Sequence, residues 1–186
     1  MLGRIKQWMQ GGPAEADASK AGQGRAGELR ILMVCSGNIC RSPTAEAVLR
    51  AKLQRAGLAG VLVDSAGTHG FHVSEAPDPR AQAAAKRRGY DLSRLRARPV
   101  LDNDSERFQW LLAMDQSHLA WLRQQFPGPQ AQQIRLLMDH ARQFKGTSEV
   151  PDPYYGSAEG FERVLDLVED ACDGLVDLIQ RQRSGR

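Results

Sequence analysis

Apolar and polar positions follow two periods along this chain, and the change from one to the other marks out its elements. Leu29 to Val34 is a short, nearly continuous apolar run, the pattern of a parallel strand buried on both faces. Ala45, Val48, Leu49, Leu53 and Ala56 then recur at helical spacing. They predict a helix from Pro43 to Ala56, with Ser42 as N-cap, Pro43 in the first position and Gly57 as the stop. The same succession returns three times. Val61 to Ala66 reads as a strand and Arg80 to Arg88 as a helix closed by Gly89. Phe108 to Met114 reads as a strand, and Gln116 to Phe126 as a helix ended by Pro127 and Gly128. Ile134 to Met138 is the fourth strand. The last helix carries one apolar stripe of Phe161, Val164, Leu165, Val168, Ala171, Cys172, Leu175, Leu178 and Ile179, with Asp and Glu over its other face. Alternating strands and helices predict an α/β fold of three layers, α/β/α, with a central four-stranded parallel sheet of the doubly wound, flavodoxin-like kind. Such sheets bind ligands at the carboxyl ends of their strands, near a topological switch point.

Both ends depart from this pattern. Gly11 to Gly27 is rich in Gly, Ala and Ser without an apolar period, so residues 1–28 read as a disordered N-terminal extension. Leu2, Ile5, Trp8 and Met9 share one side of a short helical segment within it. One domain is expected over residues 29–182, followed by a basic tail at 183–186. A length of 186 residues with 41% hydrophobic side chains suits that single core. The net charge of +3 comes from the ends: residues 1–30 hold five Lys/Arg against three Asp/Glu, and the last six residues add three Arg. The middle of the chain therefore has no nucleic-acid footprint. One basic stretch, Arg80 to Arg98, has seven Lys/Arg opposed only by Asp91; a solvated helix face is the simpler reading and a rim for acidic partners the alternative. Three cysteines, an odd and small number, suit a reducing compartment. There is no signal-peptide run and no apolar segment of membrane-spanning length, so a cytoplasmic location is expected.

The chemistry concentrates between the first strand and the first helix, in Cys35-Ser36-Gly37-Asn38-Ile39-Cys40-Arg41-Ser42. A loop of this length can turn successive N–H groups inward as a nest for a tetrahedral oxyanion, and the helix N-terminus adds positive potential. Gly37 and Asn38 tolerate the left-handed backbone that a tight nest needs. Cys35 would lie at its base, where N–H groups and the Arg41 guanidinium favour thiolate over thiol. Arg41 offers a planar fork for two phosphoryl oxygens. A buried strand-end cysteine is the alternative, and Cys-x5-Arg alone is a weak motif. Cys40 is close enough in sequence to capture an oxidised Cys35 as a disulfide. Two cysteines with no nearby Cys or His make a poor zinc set, so neither a metal nor a cofactor is expected, and His69 and His72 read as loop polar residues. Asp115 reads as a helix N-cap that could also orient the loop. Asp152 between Pro151 and Pro153 reads, by itself, as an ordinary turn.

Val34 to Pro43 resembles the phosphate-binding loop of the low-molecular-weight protein tyrosine phosphatases, and Asp152-Pro153-Tyr154-Tyr155 resembles their general-acid loop. The likeness extends over about Glu28 to Gln180, with the two motifs in the family's order. It implies a phosphoric monoester hydrolase acting on phosphotyrosine proteins and small aryl phosphates through a phosphocysteine. Cys35 is then the nucleophile, Arg41 the phosphate clamp and Asp152 the general acid and later base. It further implies that Ser36, Gly37, Asn38, Ile39 and Cys40 surround the phosphate and that Ser42 bonds the Cys35 sulfur. Phe71, Tyr154 and Tyr155 would flank the ring, and Ser65 with a histidine would hold Asn38. The sequence departs from the family at Arg88, where histidine is common before the glycine and whose support of Asn38 is then missing, and at Phe71, often tryptophan. The partner implied is a phosphotyrosine protein, in bacteria often a tyrosine kinase of capsule or exopolysaccharide export. Rival readings are a protein arginine phosphatase, which tends to carry threonine where Ile39 stands, and an idle phosphoprotein-binding module, which would lack the nucleophile or the acid. Arsenate reductases on this scaffold need a second cysteine pair, which this chain lacks.

Overall fold

A computed structural model describes residues 28–185. The segment expected to be a disordered extension, including Leu2, Ile5, Trp8 and Met9, lies outside the described residues except for Glu28. Strands β1 (Leu29–Cys35), β2 (Val61–Gly67), β3 (Trp110–Ala113) and β4 (Ile134–Leu136) form one all-parallel sheet in the order β2-β1-β3-β4. Among the described residues, five α-helices connect and cover them: α1 (Arg41–Arg55), α2 (Pro79–Arg87), α3 (Asp104–Arg107), α4 (Gln116–Gln125) and α5 (Ala158–Ser184). Among the described residues, no helix is long and apolar enough to cross a membrane.

The two-residue period of β1 divides the core. Ile31, Met33 and Cys35 face a cluster built with Val48 and Leu49 of α1 and with Val168, Cys172 and Leu175 of α5. Leu32 and Val34 face the opposite way, onto Leu111 and Ala113 of β3 and Leu119 and Leu122 of α4. Burying both faces of such a strand contributes about 1.5 to 3 kcal/mol for each large side chain. β1 becomes the sheet's central support, and the loop that leaves it is anchored at its base.

The expected fold is present, with local corrections. Ser42 is not an N-cap: α1 begins at Arg41, Cys40 takes the cap position without a side-chain bond, and Pro43 sits within the first turn. β3 is confined to the residues that pair with Ile31 to Val34, leaving Phe108 to pack in the second cluster. β4 ends at Leu136 because Leu137 to His140 winds into a 3-10 turn whose Leu137 and Met138 pack in the α5 cluster. α3 has no apolar period by which to be foreseen. On α5, Leu178 is only half-buried, while Asp170 on the supposed polar face is buried. Its carboxylate accepts the N–H groups of Arg142, Gln143 and Phe144 at 3.0 to 3.1 Å, capping the turn after β4. α5 also runs past residue 182, and Arg183, expected in a basic tail, donates to the Ala59 carbonyl at 2.6 Å.

Four of the seven basic residues in the stretch from Arg80 to Arg98 are committed to ion pairs. Arg80 pairs with Asp78, Arg87 and Arg88 with Glu162, and Arg98 with Asp64 and Asp104.

Candidate active site

The five residues between β1 and α1 make their loop at the carboxyl end of the central strand, where β2 and β3 lie to either side; this is the switch point of the sheet. Neighbouring backbone fixes the loop's course. The N–H groups of Thr68, His69 and Asp78 donate to the carbonyls of Cys35, Ser36 and Ile39 at 2.8, 3.0 and 2.8 Å. At Gly67 the two segments approach so closely that a Cβ would lie 2.7 Å from the Ser36 carbonyl oxygen, which leaves room for glycine alone.

Asn38 is left-handed, with φ of 56°, and fully bonded. Its Nδ2 donates to Ser42 Oγ at 2.9 Å and to Ser65 Oγ at 2.8 Å, and its Oδ1 accepts the Arg98 N–H at 3.0 Å. Ser65 passes the chain on by donating to Glu46 Oε2 at 2.5 Å. Burial pushes the Glu46 carboxyl up to about 7, outweighing the Ser65 bond and the Arg50 guanidinium at 2.7 Å. Ser42 Oγ lies 3.0 Å from Cys35 Sγ. Arg88 has no part here: its guanidinium turns to Glu162, Asp166 and Glu169 of α5, and Asn38 is held without it.

Arg41 is buried at the side of the loop, with 4% of its side chain exposed. Nη1 donates to Asp115 Oδ2 at 2.7 Å and to the Val150 carbonyl at 3.3 Å; Nη2 donates to Asp152 Oδ2 at 2.6 Å and to Ser36 Oγ at 3.3 Å. Asp115 has both roles expected of it, since its Oδ1 also caps α4 by accepting the His118 N–H at 3.0 Å. Burial alone would raise the Asp115 carboxyl, but the His118 ring and N–H and the Ser117 hydroxyl hold it well below the usual carboxylate range. The buried His118 ring reaches Ser36 Oγ through Nε2 at 2.8 Å. Its Nδ1 lies 2.9 Å from Asp115 Oδ1 without the alignment of a hydrogen bond, so that contact is electrostatic.

The second loop arrives from the far end of the sequence. Val150 N–H donates to the Met114 carbonyl at 2.8 Å, which hangs the segment from the end of β3. Asp152 then projects to the mouth with half its side chain exposed, its Oδ1 accepting the Tyr154 N–H at 3.1 Å. Tyr154 and Tyr155 meet edge to face at 5.0 Å, and across the mouth Phe71 stacks on His69 at 5.2 Å.

These parts enclose a cavity of about 230 Å³ lined by Cys35, Ser36, Gly37, Ile39, Cys40 and Arg41, with Asp152 and the aromatic side chains of Phe71, Tyr154 and Tyr155 toward the mouth. Asn38, Ser42 and Ser65 stand behind the loop as braces. Cys40 is a buried wall residue whose thiol is pushed up to about 12, first by burial and then by the nearby Asp78 and Cys35. His72, read from the sequence as a loop residue, also lines the cavity; a Cβ on Gly37 would lie 2.9 Å from its ring. Glu46, Arg98 and His118 were not signalled by any sequence pattern. Among the described residues, no group of three or more His, Cys, Asp or Glu is arranged to hold a metal ion.

A sequence profile of the low molecular weight phosphotyrosine protein phosphatases matches residues 30–185. A low molecular weight protein-tyrosine-phosphatase of Streptomyces coelicolor is 42% identical over 160 residues, spanning 84% of this chain and 97% of that protein. The crystal structure of a protein tyrosine phosphatase from Entamoeba histolytica, with Hepes in its active site, superimposes with a TM-score of 0.80 at 39% identity over 84% of this chain and 99% of its own. Vibrio vulnificus Wzb in complex with benzylphosphonate superimposes with a TM-score of 0.70 at 29% identity, covering 81% of this chain and 99% of its own. Sheet order, loop and profile agree over the same residues, and the chain belongs to the low molecular weight phosphotyrosine protein phosphatase family.

Proposed function

We propose that this phosphatase hydrolyses phosphotyrosine in proteins, and small aryl phosphates, by two displacements through a phosphocysteine. The observation that carries the reading is the convergence of Cys35, Arg41 and Asp152 in one cavity walled by Phe71, Tyr154 and Tyr155. In the first step the Cys35 thiolate attacks phosphorus and the aryl oxygen–phosphorus bond breaks, while protonated Asp152 gives its proton to the leaving oxygen. In the second, Asp152 takes a proton from water, the water oxygen attacks phosphorus, the sulfur–phosphorus bond breaks and phosphate departs. Loop N–H groups and the Arg41 fork stabilise the charge on the equatorial oxygens in both. For this, Arg41 must turn from Asp152 toward the phosphoryl group, which frees the carboxyl for the leaving oxygen.

Ile39 and the aromatic mouth favour a flat phenyl ring over a phosphorylated guanidinium or a short serine chain. The benzylphosphonate held by the Vibrio relative is an aryl-methyl phosphonate, in keeping with that preference. The physiological partner is then a phosphotyrosine protein, in a bacterial cell a tyrosine kinase or its target, and the place of action the cytoplasm. Cys40 would serve as a resolving thiol: peroxide oxidises the Cys35 thiolate to a sulfenic acid with release of water, and Cys40 condenses with it to a disulfide, releasing a second water. Because attack requires thiolate and the Cys40 thiol is pushed up to about 12, this trapping is slow near neutrality and quickens as pH rises.

The test is kcat/KM on matched phosphotyrosine, phosphoarginine and phosphoserine peptides in the presence of chelator. Phosphotyrosine should lead, with vanadate inhibiting. Phosphoarginine ahead would move the chain to the arginine phosphatase branch, and loss of activity to chelator with recovery by a divalent ion would overturn the metal-free mechanism.

A further inference from the structure

Arg80 stands outside the lining of the cavity, yet it touches both loops that frame it. Its Nε and Nη2 make a two-point ion pair with Asp78 Oδ1 and Oδ2 at 3.0 and 2.7 Å. Asp78 is itself fastened to the phosphate loop, its N–H donating to the Ile39 carbonyl at 2.8 Å, and it caps α2 by accepting the Arg80 N–H at 2.7 Å. A guanidinium gripped at two points has its plane fixed. That plane is offered to two rings: its carbon lies 4.8 Å from the Phe161 centroid in α5 and 5.6 Å from the Tyr154 centroid in the acid loop. Cation–π attraction holds a ring in place as well as the cation. Tyr154 is bonded to the acid by its N–H, which donates to Asp152 Oδ1. A line of contacts therefore runs from Ile39 through Asp78, Arg80 and Tyr154 to Asp152, joining the two loops by a route separate from Arg41.

We infer that Arg80 is a positioning residue for the acid step: it sets the separation of the two loops by holding Tyr154, and through it Asp152, over the mouth of the cavity. The inference rests on the reading of Asp152 as general acid. Its consequence is specific, because a displaced acid matters in proportion to how badly the leaving oxygen needs a proton. A residue that only supported the fold would lower all rates alike.

The test uses the full chain and a series of aryl phosphates graded in leaving-group quality, with kcat/KM measured for the parent, Arg80→Ala, Arg80→Lys, Tyr154→Leu, the Arg80→Ala/Tyr154→Leu pair and Asp152→Ala. Arg80→Ala should lose about tenfold on the poorest leaving group and less than about twofold on the best, the scale of a misplaced proton donor. Arg80→Lys, which keeps the charge but not the planar fork, should recover little of the loss. The pair should lose no more than its worse single member, since both act through one contact. Equal losses across the series, full rescue by lysine or additive losses in the pair would each overturn the inference. Should Arg80→Ala fail to fold, the lysine variant decides: parent-like behaviour overturns the strut and a leaving-group-dependent loss supports it. Asp152→Ala separates the two levels. If it shows no leaving-group dependence, the acid assignment fails; if it does while the Arg80 variants do not, only the positioning role fails.

Discussion

The Cys35–Ser42 loop, proposed above to hold phosphate, and the Asp152 loop, proposed to carry the acid, face each other across one cavity but are held by opposite means. The first is a single contiguous stretch at the end of the central strand, buried, with Asn38 saturated by three hydrogen bonds and its carbonyls taken up by three neighbouring N–H groups. The second is irregular and exposed: Asp152 has half its side chain in solvent, Tyr155 is 98% exposed, and the loop is tied at Val150, Arg41 and Arg80. In the proposed reaction the phosphoryl group is common to every substrate, so its receptor can be built once and buried. The leaving group differs between substrates, and the groups that meet it lie at the surface, where they can adapt.

Removing the proposed nucleophile is the severest way to test this division. Cys35→Ser should lower kcat by about 10⁴-fold or more on every substrate, as loss of an attacking group does in other covalent enzymes, while phosphotyrosine peptide binding persists. Calorimetric titration with the peptide checks both halves, and residual turnover near the parent's would remove Cys35 from the chemistry. Asp152→Ala attacks the other loop and should discriminate: a loss of about 10²-fold on unactivated aryl phosphates and little on activated ones. Equal losses on both would erase the distinction between the loops.

How far the sequence discloses these two regions follows from how each is assembled. The phosphate loop is legible because Cys35 through Ser42 are consecutive and sit at a change from strand period to helix period. Of its braces, Ser65 is legible only by resemblance, and Glu46, Arg98 and His118 are not, because they come from separate segments. His118 looks like a polar residue in the first turn of α4, and Glu46 like a helix carboxylate with an i,i+4 arginine. Ser42 shows the converse error: a serine next to a Pro helix start reads as a cap, while its hydroxyl is committed to Cys35 and Asn38. Asp170 reads as part of the polar face of α5, since no periodicity reports three N–H groups arriving from another turn for its carboxylate to accept. Asp152 was legible only by resemblance, because Asp-Pro is an everyday turn.

A milder intervention probes the buried brace. Glu46 is held above its ordinary value of 4.5, at about 7, so the fold favours its protonated form. The stability this contributes is fully present below pH 4.5 and is lost as pH rises through about 7. Glu46→Gln is neutral throughout and can still accept from Ser65. Against the parent it should therefore lose less stability over that interval, by about 1 to 3 kcal/mol. Denaturant titrations of both proteins at several pH values give the difference directly, and parallel curves would contradict it. The smallest expected change in initial rate is at Cys40: Cys40→Ser should stay within about twofold of the parent, having no assigned step in phosphoryl transfer. After peroxide, the parent should recover more activity with thiol reductant, and by a margin that widens when oxidation is done at higher pH. Equal recovery at every pH would make Cys40 a packing residue only.

The contact between Arg41 Nη2 and Asp152 Oδ2 makes the protein its own competitor. A tethered carboxylate 2.6 Å from the proposed clamp is expected to act as an internal ligand, at an effective concentration on the order of millimolar or above. On the proposed mechanism, a dilute monoanion that offers Arg41 no more than Asp152 already does would be turned away. A phosphate ester dianion, on the same mechanism, displaces it by engaging the loop's N–H groups at the same time, and the freed carboxylate must take up a proton before it can serve the leaving oxygen. Selectivity against small anions and readiness for proton transfer thus come from one exchange of partners.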